Sequence, residues 1–247
     1  MSAAVTPQAA VGVDPILEAR DVSKDFGGLH AVSHVSLTVL PGEIVGIIGP
    51  NGSGKSTLFN LLSRLLPVSS GTIRFDGRDI TGVPAYRCSR SGLSRTFQIP
   101  SPFTRMTVLE NLLAVYRPEP IDRMKVRARE ILALLKLTRL SDERADTCSG
   151  GQLKLLEIGR ALMTQPKLLL LDECVAGVNP VLRGEIVELL QDLRAQGMTV
   201  LLIEHDMEWV RALCDRLVVM HHGEIIAAGT FDEVTQNATV VDAYLGA

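Results

Sequence analysis

The segment Gly49-Pro50-Asn51-Gly52-Ser53-Gly54-Lys55-Ser56 constrains this chain more than any other. It matches the phosphate-binding pattern G-x-x-x-x-G-K-[ST], follows the apolar run Ile44 to Gly49, and precedes helical apolar spacing at Leu58, Phe59, Leu61, Leu62 and Leu65. A strand, a glycine-rich turn and a helix in that order let backbone N–H groups curl around phosphate oxygens, with the positive end of the helix behind them. Lys55 is then expected to reach the β- and γ-phosphates of a nucleotide, and the Ser56 hydroxyl to ligate Mg²⁺. Thr57 completes this candidate phosphate-contacting set.

The rest of the chain has to build a sheet around that turn. In His34 to Leu40, Val35, Leu37 and Val39 alternate with polar residues, the period of a half-buried strand; Ile73 and Phe75 alternate likewise before the turn Asp76-Gly77. Ile44 to Gly49, Leu168 to Leu171 and Thr199 to Ile203 are apolar throughout, as in the centre of a parallel sheet. Helical spacing marks Val108 to Val115, Val126 to Leu137 and Val181 to Arg194, the last followed by Gly197 as a C-terminal cap. Leu217 to Met220 and Ile225 to Ala228 read as a hairpin, and Thr230 with Glu233 as a capping box. The expected fold is α/β, with a helical segment of about residues 87–164 inserted between two halves of a sheet domain covering 16–247, and residues 1–15 a loose tail.

Composition narrows the setting. The 247 residues carry a net charge of −3, which provides no basic field for nucleic acid. No run approaches the roughly 18 apolar residues of a spanning helix, and the N-terminus lacks the features of a secretory signal. The four cysteines form no C-x-x-C pair or metal-like spacing, which suits reduced thiols in the cytoplasm. Work at a membrane therefore requires a partner embedded in it.

A second chemical element is Leu168-Leu169-Leu170-Leu171-Asp172-Glu173. Acids at the exit of a buried strand lie at the carboxyl edge of the sheet, where the glycine-rich turn also lies. Asp172 is placed to hold Mg²⁺ through water, and Glu173 to polarise an attacking water as general base. Alone, the pair could simply solvate a strand end, and with the phosphate loop it leaves ATPase, GTPase and small-molecule kinase open.

Ser149-Gly150-Gly151-Gln152, twenty residues before Asp172, resembles the signature of ATP-binding cassette proteins, with Cys148 where the family usually has Leu. A serine hydroxyl and two glycine N–H groups at a helix start make a second anion nest. The resemblance implies a parallel-sheet core like that of RecA, an antiparallel β subdomain and an inserted helical subdomain. It also implies ATP and Mg²⁺ as cofactors, with Phe26 stacking on adenine, Gln98 contacting Mg²⁺ and His205 sensing the γ-phosphate. Two departures stand out: Cys174 follows Glu173 where the family has Pro, and Asn179 replaces the usual Asp.

At finer grain, residues 16 to 247 are similar to the ATPase subunits of branched-chain amino acid importers, through Asp25 to Val32, Arg95 to Gln98, Met106 to Leu113, Ala176 to Pro180, Leu202 to Met207 and Ala243 to Gly246. That likeness implies a head-to-tail pair with a second ATPase subunit, the same or related, with ATP between the phosphate loop of one and Ser149 to Gly151 of the other. It further implies transmembrane permease subunits, indirectly a substrate-binding protein, and a place on the inner face of the membrane. Phe97 to Arg105 is the candidate dock for a permease helix, against the plainer reading of a packed loop. Cys148 and Cys174 flank nucleotide motifs and are candidates for inhibition by thiol reagents. The rivals are an ATPase of lipid or lipopolysaccharide export, a soluble cassette acting on DNA or ribosomes, and a metabolite kinase, which has no reason to carry Ser149 to Gln152, Gln98 and His205 in this order.

Overall fold

The computed structural model describes residues 13–115 and 118–245, so most of the expected N-terminal tail lies outside the described residues. Two sheets share the chain. Strands β1 (Leu17–Phe26), β2 (Leu29–Val39), β4 (Ser70–Phe75) and β5 (Arg78–Asp79) form an antiparallel sheet of order β2-β1-β4-β5. Strands β3 (Ile44–Ile48), β6 (Leu93–Arg95), β7 (Leu168–Asp172), β8 (Thr199–Ile203), β9 (Arg216–His221) and β10 (Glu224–Gly229) form the second, of order β10-β9-β3-β8-β7-β6. It is parallel from β9 to β6, and β10 closes its far edge as an antiparallel hairpin.

The helices are α1 (Lys55–Leu62), α2 (Ala85–Arg90), α3 (Val108–Leu113), α4 (Ile121–Leu134), α5 (Gly150–Met163), α6 (Pro180–Ala195), α7 (Met207–Leu213), α8 (Phe231–Thr235) and α9 (Ala238–Leu245). Thr107, Ser149 and Thr230 each start a helix with a reciprocal capping box, satisfying backbone donors that the first turn leaves unpaired. Gly197, at φ 90°, turns the chain just past α6.

The apolar central strands bury both faces because each serves a different core. Along β7, Leu169 and Leu171 join the cluster that includes Leu156 of α5 and Leu190 of α6, whereas Leu168 and Leu170 join Leu58 and Leu62 of α1 and the inner face of the antiparallel sheet. The strand period of two makes this division automatic.

Two boundaries differ from expectation, and strand β1 is an element the sequence pattern does not announce. Leu93 to Arg95, assigned to the helical insert, is instead the edge strand of the main sheet, paired in parallel with Leu168 to Leu170. Three residues are too few to display an alternation. Strand β1 is ten residues long but broken by Asp21, whose φ of 51° and register shift reset the pattern midway. Helix α4 spans Ile121 to Leu134 rather than Val126 to Leu137; Lys136 turns at φ 56°, and Leu137 N–H returns to Leu132 C=O at 2.8 Å.

Candidate nucleotide site

The glycine-rich turn joins β3 to α1 at the carboxyl edge of the main sheet, and its glycines are demanded by space. A Cβ on Gly49 would stand 2.1 Å from Met220 C=O, and one on Gly54 2.4 Å from Ala31 C=O. Both also adopt positive φ, 146° and 100°. The hairpin turn between β9 and β10 braces the loop, with Gly223 N–H donating to Ser53 C=O at 3.0 Å. Lys55 folds back over it, Nζ donating to Gly49 C=O and Pro50 C=O at 2.8 Å each. Burial lowers the Lys55 pKa, opposed by Glu173 and Asp172. Ser53 Oγ is buried without a hydrogen-bond partner.

Above the loop lies a cleft of about 600 Å³ whose lining includes Asn51, Gly52, Gly54, Lys55, Ser56 and Thr57 from the loop and α1, with Glu173 and His205 opposite. Glu173 follows β7 at φ 47°, a left-handed conformation that a non-glycine residue adopts at some cost. Its carboxylate is held from two sides: Gln98 Nε2 donates to Oε2 at 2.5 Å, and His205 Nε2 lies 2.8 Å from Oε1. The turn behind it is fastened too. Lys154 of α5 donates to Glu173 C=O at 3.0 Å and to Ala176 C=O at 2.6 Å, and buried Glu204 accepts Val175 N–H at 3.0 Å.

Asp172 is buried beside this group. Burial raises its carboxyl pKa, while Arg95 pulls it back through a 2.8 Å contact from Nη2 to Oδ2. Ser56, Asp172 and Gln98 together offer hydroxyl, carboxylate and amide oxygens, the hard donors that Mg²⁺ takes.

Several expected contacts lie outside the cleft lining: Gln98 and Asp172 sit beside it against Glu173 and Arg95, and Phe26 and the Ser149 turn lie farther off. Phe26 is half exposed at the end of β1, with Lys24 Nζ 5.1 Å from its ring centre. His30 and His222 line the cleft instead, and nothing in their sequence context marked them. Ser149 and Gln152 border a separate groove with Asn179, Pro180 and Leu182. There Ser149 caps α5, accepting Gln152 N–H at 3.3 Å while Gln152 Oε1 accepts Ser149 N–H at 2.8 Å. Gly150 faces open space; a Cβ on Gly151 would reach within 2.3 Å of Leu182 Cδ2. One chain therefore keeps its phosphate loop and its Ser149 turn on different surfaces.

The sequence assigns no role to Arg95, Lys154 or Glu204, although Glu204 follows the apolar run Thr199 to Ile203. Cys174 also needs correction as a reagent target. It is 6% exposed, and burial, helped by Glu204, holds its thiol pKa well above the ordinary range.

Comparison with known proteins gives the family and the fold. The ABC transporter family model matches residues 32–176. A probable branched-chain amino acid transport ATP-binding protein LivG of Archaeoglobus fulgidus is 42% identical, over 94% of this chain and 96% of its own. The lipopolysaccharide export system ATP-binding protein LptB of Acidithiobacillus ferridurans is 36% identical, over 94% and 97%. Among solved structures, a nucleotide-free ATP-binding cassette from an ABC transporter superposes with a TM-score of 0.88 at 40% identity, covering 95% of this chain and all of that one. A dimeric cassette in a post-hydrolysis state, bound to ADP and Pi, gives 0.79 at 26% identity, over 87% and 98%. The chain belongs to the ABC transporter family and is one of its ATP-hydrolysing, ATP-binding cassettes.

Proposed function

We propose that this cassette powers a membrane transporter for branched-chain or related amino acids, working head to tail with a second cassette. The observation that carries the substrate class is the 42% identity, over nearly the whole of both chains, to a branched-chain amino acid transport ATP-binding protein. Pairing is supported by the separation of the cleft from the Ser149 groove and by the dimeric solved relative. ATP then lies between the phosphate loop of one subunit and Ser149 to Gly151 of the other.

In that arrangement Glu173 polarises the attacking water, Lys55 and the loop N–H groups hold the β- and γ-phosphates, and His205 reports whether the γ-phosphate is present. Gln98 links the catalytic carboxylate to the exposed loop Phe97 to Arg105. Phe26 stacks on adenine from the rim. Ser56, Asp172 and Gln98 hold Mg²⁺, which neutralises phosphate charge when bound. Among the described residues no helix is long and apolar enough to cross a membrane, so the proposed location, the inner face of the membrane, depends on permease subunits. A substrate-binding protein joins the assembly through those subunits.

The second reading is lipopolysaccharide export, favoured by the 36% identical LptB relative. One experiment separates the two. The Glu173→Gln variant is purified with Mg-ATP from detergent-solubilised membranes, and the subunits that accompany it are identified. Permeases of the amino-acid importer type, with a sister cassette, support the proposal. Permeases that bind lipopolysaccharide move the assignment to export, and recovery of soluble partners alone refutes the transporter reading.

A further inference from the structure

Arg95, beside Asp172, is a heavily engaged side chain that no part of the proposed chemistry uses. It ends β6, paired with Leu170, so it shares a sheet face with Asp172 two residues further along β7. Its Nη2 donates to Asp172 Oδ2 at 2.8 Å, with the two side chains only 9% and 8% exposed. Its Nη1 donates to Asn60 Oδ1 at 2.6 Å and to Ser63 Oγ at 3.0 Å, both at the far end of α1. Its Nε reaches Thr96 C=O at 3.3 Å. The guanidinium carbon lies 5.6 Å from the ring centre of buried Phe59 and 5.3 Å from that of Phe97. Phe97 is 52% exposed and stands next to Gln98.

A guanidinium suits this place because it is a planar fork that can hold a carboxylate and stack against rings at once; an ammonium cannot do both. Such burial of a charged pair is costly unless every donor is matched, and here each nitrogen of the guanidinium has an acceptor. Arg95 thus engages a single carboxylate oxygen of Asp172, Oδ2.

We propose that Arg95 is a positioning residue that fixes the rotamer of Asp172 for Mg²⁺, and that it takes its own orientation from the exposed ring of Phe97. Displacement of Phe97 by anything that presses on its loop is thereby passed to the metal-holding acid through one side chain. The inference rests on the proposed role of Asp172 toward Mg²⁺.

The test is a Mg²⁺ titration of the full-length protein with a fluorescent N-methylanthraniloyl ATP, read as the Mg²⁺-dependent change in nucleotide affinity, beside an affinity measured in EDTA and a thermal melt. Removing the partner of a metal-holding carboxylate typically costs about 10–100-fold in metal affinity. Arg95→Lys, which keeps the charge and loses the fork, is expected to raise the half-saturating Mg²⁺ by about tenfold, with affinity in EDTA unchanged. Phe97→Leu is expected to shift it the same way by a smaller factor, and to add little in an Arg95→Lys background. If Arg95→Lys lowers the melting temperature but leaves the Mg²⁺ midpoint in place, Arg95 is only a structural brace and the proposal is overturned. Additive shifts from Arg95→Lys and Phe97→Leu overturn the coupling to Phe97. Asp172→Asn is the control: a shift there with none for Arg95→Lys sinks this inference alone, and no shift in Asp172→Asn sinks the metal role of Asp172 with it.

Discussion

Gln98 Nε2 donates to Glu173 Oε2 at 2.5 Å, a contact that spans 75 residues of sequence and joins the loop after β6 to the end of β7. With His205 on the other oxygen, both halves of the carboxylate are already engaged by protein. A water aligned for attack has to displace or share one of these partners. Glu173, the proposed general base, is therefore held from both sides.

Replacing Glu173 with Gln removes the basic oxygen pair while keeping the shape of the side chain. ATP turnover is expected to fall by about 10²–10⁴-fold, the usual contribution of a general base. Nucleotide binding should persist, and light scattering with Mg-ATP should show a dimer that does not dissociate. Normal turnover from a monomeric variant would remove Glu173 from that role.

Lys55 has exchanged water for two carbonyls of its own loop, so it is already aligned before phosphate arrives. Lys55→Met keeps most of the stem and removes a charged donor, an interaction worth about 1.5–3 kcal/mol. ATP affinity should weaken by roughly 10- to 100-fold at 1.4 kcal/mol per decade. Equilibrium titration with ATP measures this, and an unchanged dissociation constant would contradict it.

Glycines in the two anion nests answer to different constraints. Gly49→Ala drives a Cβ into the Met220 carbonyl in a backbone region that L-residues avoid, and should cost more than about 2 kcal/mol in urea unfolding. Gly150→Ala meets nothing within 4 Å, so stability should stay within about 0.5 kcal/mol. Hydrolysis should nevertheless drop by about tenfold or more, because the methyl sits where the partner's nucleotide would approach. Loss of activity and stability together in Gly150→Ala would argue against an interfacial role.

Cys148 is partly exposed beside the Ser149 nest, while Cys174 is sealed behind Glu173. Burial and the neighbouring Glu143 and Asp146 raise the Cys148 pKa, so its thiolate is scarcer at neutral pH than that of a free cysteine and labelling should quicken as pH rises. A bulky maleimide is expected to inhibit ATPase activity through Cys148 alone, with ATP protecting. Inhibition should vanish in Cys148→Ser and remain in Cys174→Ser. Persistence in the first variant would point to another thiol.

What could be read from sequence was whatever short-range spacing determines. The phosphate loop lies in eight consecutive residues, and the apolar runs at β3, β7 and β8 announce their own burial. Glu173 and Asp172 were legible because they end such a run. Arg95 and Lys154 were not, since their partners are set by strand register and helix packing across tens of residues; Glu204 ends the run at β8 just as visibly, but its bond to Val175 N–H depends on how β7 and β8 pair. The split of β1 at Asp21 hid a central strand for a related reason: one left-handed residue inverts the alternation that would reveal it. Phe26 stands out by resemblance alone; His30 lies in the same resembling stretch without a role, and His222 lies outside the resembling stretches.

The division of side chains along β7 has a mechanical meaning. Leu168 and Leu170 belong to the side that carries the phosphate loop, Leu169 and Leu171 to the side that carries the signature helix. No leucine of this strand serves both, so the sheet works as a bulkhead between two separately packed halves. Messages between the halves must then cross at the rim of the sheet, where Gln98, Arg95 and Lys154 stand.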